Sequence, residues 1–143
     1  MNREWTMPYW LVKSEPVKWS WDAQVAAGAK GTHWDGVRNH SAKLSLMAME
    51  LGDQAFFYHS NEGKAVVGIV EVIKKFYPDP SDASGKFGMV DFKAVKPFKT
   101  PVSLDAIKRE SKLSKMVLVN NSRLSVQPVT AEEWKLVCKM GGL

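Results

Sequence analysis

The six residues Trp34-Asp35-Gly36-Val37-Arg38-Asn39 bring an indole, a carboxylate, a permanent cation and an amide into one short span. Asp-Gly marks a tight turn, because a residue without Cβ enters left-handed backbone conformations freely. Asn39 is placed to cap a helix carrying Ala42 to Met49, by accepting a hydrogen bond from an orphan N–H of its first turn. A turn that feeds a helix N-terminus beside a flat aromatic and a guanidinium suits a planar ligand with an anionic or carbonyl group. The same residues admit a plainer role, as a surface turn whose Trp34 plugs a core and whose Arg38 pairs with an acid.

Other polar groups recur where strands should end. Lys13-Ser14-Glu15 leave a first strand, His59-Ser60 follow the aromatic run Phe56-Phe57-Tyr58, and Ser122-Arg123-Leu124-Ser125 enter a last extended segment. Each set joins small hydroxyls to a charge or an imidazole. If the strands form one sheet rolled on itself, these termini meet on one rim with Trp34, Arg38 and Asn39. Unstacked nucleic-acid bases are read in this manner, by stacking on aromatics and by hydrogen bonds to the base edge.

Signatures of catalysis are sparse. His33, His40 and His59 lack the helical His-Glu spacing of a zinc hydrolase, and paired cysteines are missing. Cys138 falls on the apolar side of the last helix and reads as a packed, inert thiol. Gly63-Lys64 has neither the upstream glycine nor the following hydroxyl of a phosphate-binding loop. No cofactor or metal is expected. A small hydrolase acting on a modified nucleoside, using Lys13, Glu15 and His59, stays open as an alternative, as does a protein-interaction domain with a vestigial pocket.

The elements that must position these groups follow from the pattern. Tyr9 to Lys13 is β-prone and stops at Pro16. Ser20 caps a short helix running to Ala27, and Gly28 to His33 is expected to be loop. Gln54 to His59 and Ala65 to Ile73 form a hairpin across Glu62-Gly63-Lys64. Tyr77 to Gly88, broken by prolines and glycines, is expected to be an exposed loop; Met89 to Val95 is a strand closed by Pro97. Ser103 caps a helix with Leu104, Ile107 and Leu113 inward. Ser122 to Pro128 is extended, and Thr130 with Glu133 has capping-box spacing before a last helix ending at Gly141. The expected architecture is a single α+β domain over residues 9–141, a mixed sheet curled into a small barrel; residues 1–8 show no period and are expected to fray.

The 143 residues suffice for one core without staples. No apolar run has membrane-spanning length, and one cysteine fits a reducing compartment. The basic excess lies in the second half. From Phe92 onward ten Lys/Arg face four Asp/Glu, whereas ten face eleven before it. Six tryptophans exceed what packing a chain of this size demands.

The blocks Tyr9-Trp10-Leu11-Val12-Lys13-Ser14-Glu15-Pro16, Trp34 to Asn39, Phe57-Tyr58-His59-Ser60-Asn61, Val67-Gly68-Ile69, Tyr77-Pro78-Asp79-Pro80 and Ser122 to Pro128 resemble, in order, those of the EVE domain family. The resemblance implies a PUA-like fold: a curved mixed β-barrel of five to six strands with surrounding helices. It implies a non-enzymatic reader of modified bases, above all C5-modified cytosine in DNA, or a modified base in RNA. It places Lys13, Ser14, Trp34, Arg38, Asn39, Ser60, Ser122 and Arg123 around the pocket, with Trp19 and Trp21 as its aromatic wall. Val37, His40, Tyr58, His59, Leu124 and Ser125 complete the expected site. The chain departs from the family's pattern after Asn39. His40, Ser41 and Lys43 stand where an aromatic, a glutamine and an arginine are usual. Lysine keeps the charge there but loses the two-pronged fork. The nuclear relatives carry a long basic tail that this sequence lacks, which points to a compact bacterial protein; a cytoplasmic location with access to the nucleoid is expected, and a monomer is favoured.

Overall fold

The structure, a computed structural model, describes residues 9–143. Six strands form one mixed sheet: β1 (Tyr9–Ser14), β2 (Thr32–His33), β3 (Gln54–His59), β4 (Ala65–Pro78), β5 (Gly88–Ser103) and β6 (Val126–Val129). Their spatial order is β2-β5-β4-β3-β1-β6, so the α+β sheet is open, with β2 and β6 at its edges, rather than closed into a barrel. Among the described residues five α-helices accompany it: α1 (Trp21–Ala26), α2 (His40–Ala48), α3 (Leu104–Arg109), α4 (Val117–Asn120) and α5 (Ala131–Met140).

Only β1 and β3 are parallel, in register from Trp10 opposite Ala55 to Ser14 opposite His59. A parallel pair needs a crossover connection, and here the crossover carries α1, β2 and α2. Both strands are therefore sandwiched, which explains why their sequences are apolar without strict alternation. Trp10, Val12, Ala55 and Phe57 face a core shared with Trp21, Trp34 and Leu46. Leu11, Phe56 and Tyr58 face a second core with Ile107, Leu118, Trp134 and Val137. The aromatic run is thus divided between two cores. Phe56 stacks on Trp134 at 3.9 Å, while Phe57 meets the edges of Trp21 and Trp34 at 5.3 and 5.5 Å.

Local caps form as the sequence dictates. Ser20, Asn39 and Ser103 each accept a backbone N–H three residues on, and Thr130 with Glu133 makes a reciprocal capping box. The prolines behave differently from expectation. β5 runs through Pro97 and Pro101, and β4 reaches Pro78, because their ladder shifts register at four points; a residue without an N–H is tolerated at such bulges. Pro128 sits inside β6, where a missing N–H is tolerated for another reason: β6 is an edge strand. Gly28 to His33 is not wholly loop either, since Thr32 and His33 pair with Phe92 and Asp91.

Gly68 marks a close approach. A Cβ there would stand 2.4 Å from the six-membered ring of Trp21. Gly68→Ala must displace that buried indole from Phe57, an overpacking expected to cost about 1–3 kcal/mol. Urea unfolding checks it, as a lower midpoint at unchanged slope.

Candidate functional site

One open cleft of ≈760 Å³ lies where the carboxyl ends of β1 and β3 and the approach to β6 come together. Two pairings make this convergence: on the parallel β3 side Ser60 donates its N–H to the Ser14 carbonyl at 2.9 Å, and on the antiparallel β6 side the Lys13 N–H is donated to the Ser125 carbonyl at 2.9 Å. From the other side the turn after β2 closes the cleft, anchored where the Trp34 N–H reaches the Val90 carbonyl at 2.7 Å.

The sequence-derived residues divide into two groups. Lys13, Ser14, Trp19, Trp34, Ser60, Ser122, Arg123 and Ser125 all line the cleft. Trp19 is held by its indole N–H, which donates to Gln24 Oε1 at 2.8 Å. Gln24 is wholly buried and donates in turn to the Phe92 carbonyl at 3.0 Å. Trp34 is 8% exposed, so it both packs the core against Phe57 and Phe92 and shows a small surface to the cleft. Lys13 donates to the Ser122 carbonyl and lies 5.7 Å from the Tyr58 ring centre, and burial pushes its pKa below the ordinary lysine value. Lys18 and Arg123 are solvent-facing cations on the rim.

The second group stands outside the lining. Trp21, Val37, Tyr58 and Leu124 are buried core residues. Asn39 is spent as the α2 cap, its Oδ1 accepting the Ala42 N–H at 3.0 Å, and His40 is the exposed first residue of that helix. Arg38 turns to Asp79, with Nη1 3.2 Å from Oδ2, and Nη2 donates to the Ser81 hydroxyl at 2.9 Å. The loop expected to be exposed thus supplies a carboxylate with no accessible side-chain surface. Asp79 also accepts the Gly36 N–H at 2.8 Å and the Ser81 N–H at 2.7 Å. Burial opposes its ionisation, but donation from the Ser81 hydroxyl, those two amides and Arg38 holds it well below the usual carboxylate range.

His59 is likewise a structural acceptor. Its Nε2 takes the Trp21 N–H at 3.0 Å, so the proton belongs on Nδ1. Burial lowers its pKa below the ordinary 6.5, against the opposing pull of Asp22. The unfolded chain therefore binds the proton more readily than the fold does. This contribution to stability is complete above pH 6.5 and is lost as pH falls through the folded value. His59→Gln, whose amide oxygen can accept the same N–H without titrating, is expected to flatten the slope of unfolding midpoint against pH just below 6.5.

Several lining groups escaped the sequence-derived site: Glu15, Lys18, Thr32, His33, Asp35 and Gly36. Asp35 and Gly36 lie inside the opening motif, and Glu15 and Lys18 occupy the turn after β1, so adjacency was the available signal. Glu15 pairs with Lys18 at 3.0 Å. Among the described residues no three His, Cys, Asp or Glu side chains converge as metal ligands. Cys138 is half-buried, and burial pushes its thiol up to about 11, as befits a packed residue. No helix of the described residues is long and apolar enough to cross a membrane.

The cleft can take a flat ring against indole, hydrogen-bond its edge through hydroxyls and a carboxylate, and meet negative charge with Lys18 and Arg123. Proteins of known structure share this frame. A Rhodopseudomonas palustris protein is 70% identical with a TM-score of 0.90, over 94% of this chain and 93% of that one. Human THYN1, solved in complex with 5-methylcytosine-containing DNA, is 34% identical with a TM-score of 0.87, over 95% and 98%. Thymocyte nuclear protein 1 of Gallus gallus is 37% identical over 94% of this chain and 69% of that protein. The fold they share is the PUA-like one that the motifs implied. The EVE domain profile matches residues 8–140, and on that match, with these relatives, the chain belongs to the EVE domain family.

Proposed function

We propose that this chain is a non-catalytic nucleic-acid-binding module that holds a modified base, foremost a C5-modified cytosine of DNA, in the cleft between β1, β3 and the Trp34–Gly36 turn. The carrying observation is that two indoles, Trp19 and Trp34, share one cleft with Lys13, Lys18, Arg123 and four serines. Its volume lies within the range of sites for single small ligands, about 300–1,000 Å³. Stacking supplies affinity without sequence choice, the hydroxyls read the base edge, and the rim cations grip phosphate. The human relative's complex with 5-methylcytosine DNA supports this choice of ligand.

Binding is favoured over hydrolysis because the groups a hydrolase would use are engaged: Glu15 with Lys18, Lys13 with the Ser122 carbonyl, and His59 with the Trp21 N–H. Titrating the protein with oligonucleotides that carry cytosine, 5-methylcytosine or 5-hydroxymethylcytosine at one site, followed by tryptophan fluorescence, tests the proposal. Tighter binding of a modified strand, weakening with added salt, is expected. Equal affinity for all three would overturn the choice of ligand.

A further inference from the structure

We infer that Asp35 makes the cleft select a 4-amino pyrimidine over a 4-oxo pyrimidine, so that 5-methylcytosine is accepted and thymine refused. The inference rests on the reading of the cleft as a base site. Two carboxylates line that cleft, and they are not equivalent. Glu15 pairs with Lys18 at 3.0 Å. Asp35 has no hydrogen-bond or ion-pair partner among the described residues, and it is exposed.

Its backbone is nevertheless fixed on both sides. The Trp34 N–H is donated to the Val90 carbonyl at 2.7 Å, and the Gly36 N–H to Asp79 Oδ2 at 2.8 Å. Gly36 has φ +79, a left-handed conformation that turns the chain directly after Asp35. An unpartnered carboxylate is thus carried on a rigid turn beside the Trp34 indole.

A carboxylate accepts hydrogen bonds and cannot donate them. Cytosine offers its N4 amino group as donor, and acidic side chains accept from it; thymine offers O4, a second acceptor. The two bases can stack equally on indole, and 5-methylcytosine shares the C5 methyl with thymine. The difference at C4 is then the one that Asp35 can read. A site built to bond one group discriminates strongly against an analogue that leaves its polar partner unpaired or repelled.

The experiment compares four single-strand oligonucleotides, identical except for cytosine, 5-methylcytosine, thymine or uracil at one position, against wild type, Asp35→Asn and Asp35→Ala. Wild type is expected to prefer 5-methylcytosine over thymine by about tenfold or more. Asp35→Asn, whose amide can donate to O4, should bring that ratio near unity by weakening the first and strengthening the second. Asp35→Ala should weaken 5-methylcytosine without gaining thymine. Thermal unfolding of both variants close to wild type confirms that the exposed position changed recognition alone. A wild-type preference for 5-methylcytosine over cytosine that survives, with the thymine ratio intact in Asp35→Asn, overturns the role of Asp35 and leaves the base site standing. No preference among the four bases in wild type overturns both.

Discussion

Asp79→Ala is expected to lower unfolding stability by about 2–4 kcal/mol and to weaken nucleic-acid binding without touching the cleft lining. The carboxylate collects donors from Gly36, Ser81 and Arg38 in a place solvent does not reach. Removing it leaves two backbone N–H groups and one guanidinium edge without their acceptor. The upper part of that range belongs to fully buried pairs; Arg38 is 41% exposed and recovers water, so the lower part is expected here. Arg38→Ala should cost less than Asp79→Ala, because the amides and Ser81 still satisfy the acid. The acid's depressed pKa adds stability that is present above the ordinary carboxylate value of 3.8 and lost as pH falls through the folded value. Urea unfolding at neutral and acid pH measures both effects. An Asp79→Ala midpoint equal to that of wild type would show that the Trp34–Gly36 turn does not depend on it.

Trp19→Ala is expected to reduce affinity for a modified-base oligonucleotide by about tenfold or more, the size of one lost base–aromatic stack of about 1–3 kcal/mol. Trp19 is the more exposed of the two cleft indoles, so its loss removes more contact surface than core. The substitution also strips Gln24 Oε1 of its donor at 2.8 Å. Trp19→Phe separates the contributions: the flat ring remains while the N–H is gone. Phenylalanine should therefore keep most of the affinity and lose stability, whereas alanine should lose both. Fluorescence anisotropy with a labelled strand reads affinity without relying on the altered tryptophans. Wild-type affinity in Trp19→Ala would remove this indole from the site.

Much of this arrangement was visible along the chain, and the exceptions share a cause. Ser20, Asn39, Ser103 and Thr130 cap helices through bonds spanning three residues, so short-range pattern suffices for them. The β3–β4 hairpin needs only a turn between two apolar runs. The prolines were misleading because β4 and β5 tolerate them through register shifts, which depend on the partner strand rather than on the proline's neighbours. Arg38 is the sharpest case. Its motif fits a ligand-facing cation and an ion pair equally, and the acid that engages it lies 41 residues away in a segment that reads as open loop. The cleft itself arises because β1 pairs with β3 in parallel. Composition cannot disclose that pairing, yet it brings Ser14 and Ser60 to one end of the sheet, where the antiparallel β6 side adds Ser125.

The central claim is that a base sits against Trp19 and Trp34. Indole N–H resonances of protein labelled with ¹⁵N at tryptophan, assigned by substitution, test it most directly during titration with a 5-methylcytosine strand. Trp19 and Trp34 should shift in step with saturation, while Trp10, bound to Asp53 at 3.1 Å, and Trp134, stacked under Phe56, hold still. Saturable binding that moves Trp134 or Trp10 and leaves Trp19 and Trp34 unchanged would place the ligand elsewhere and contradict the account.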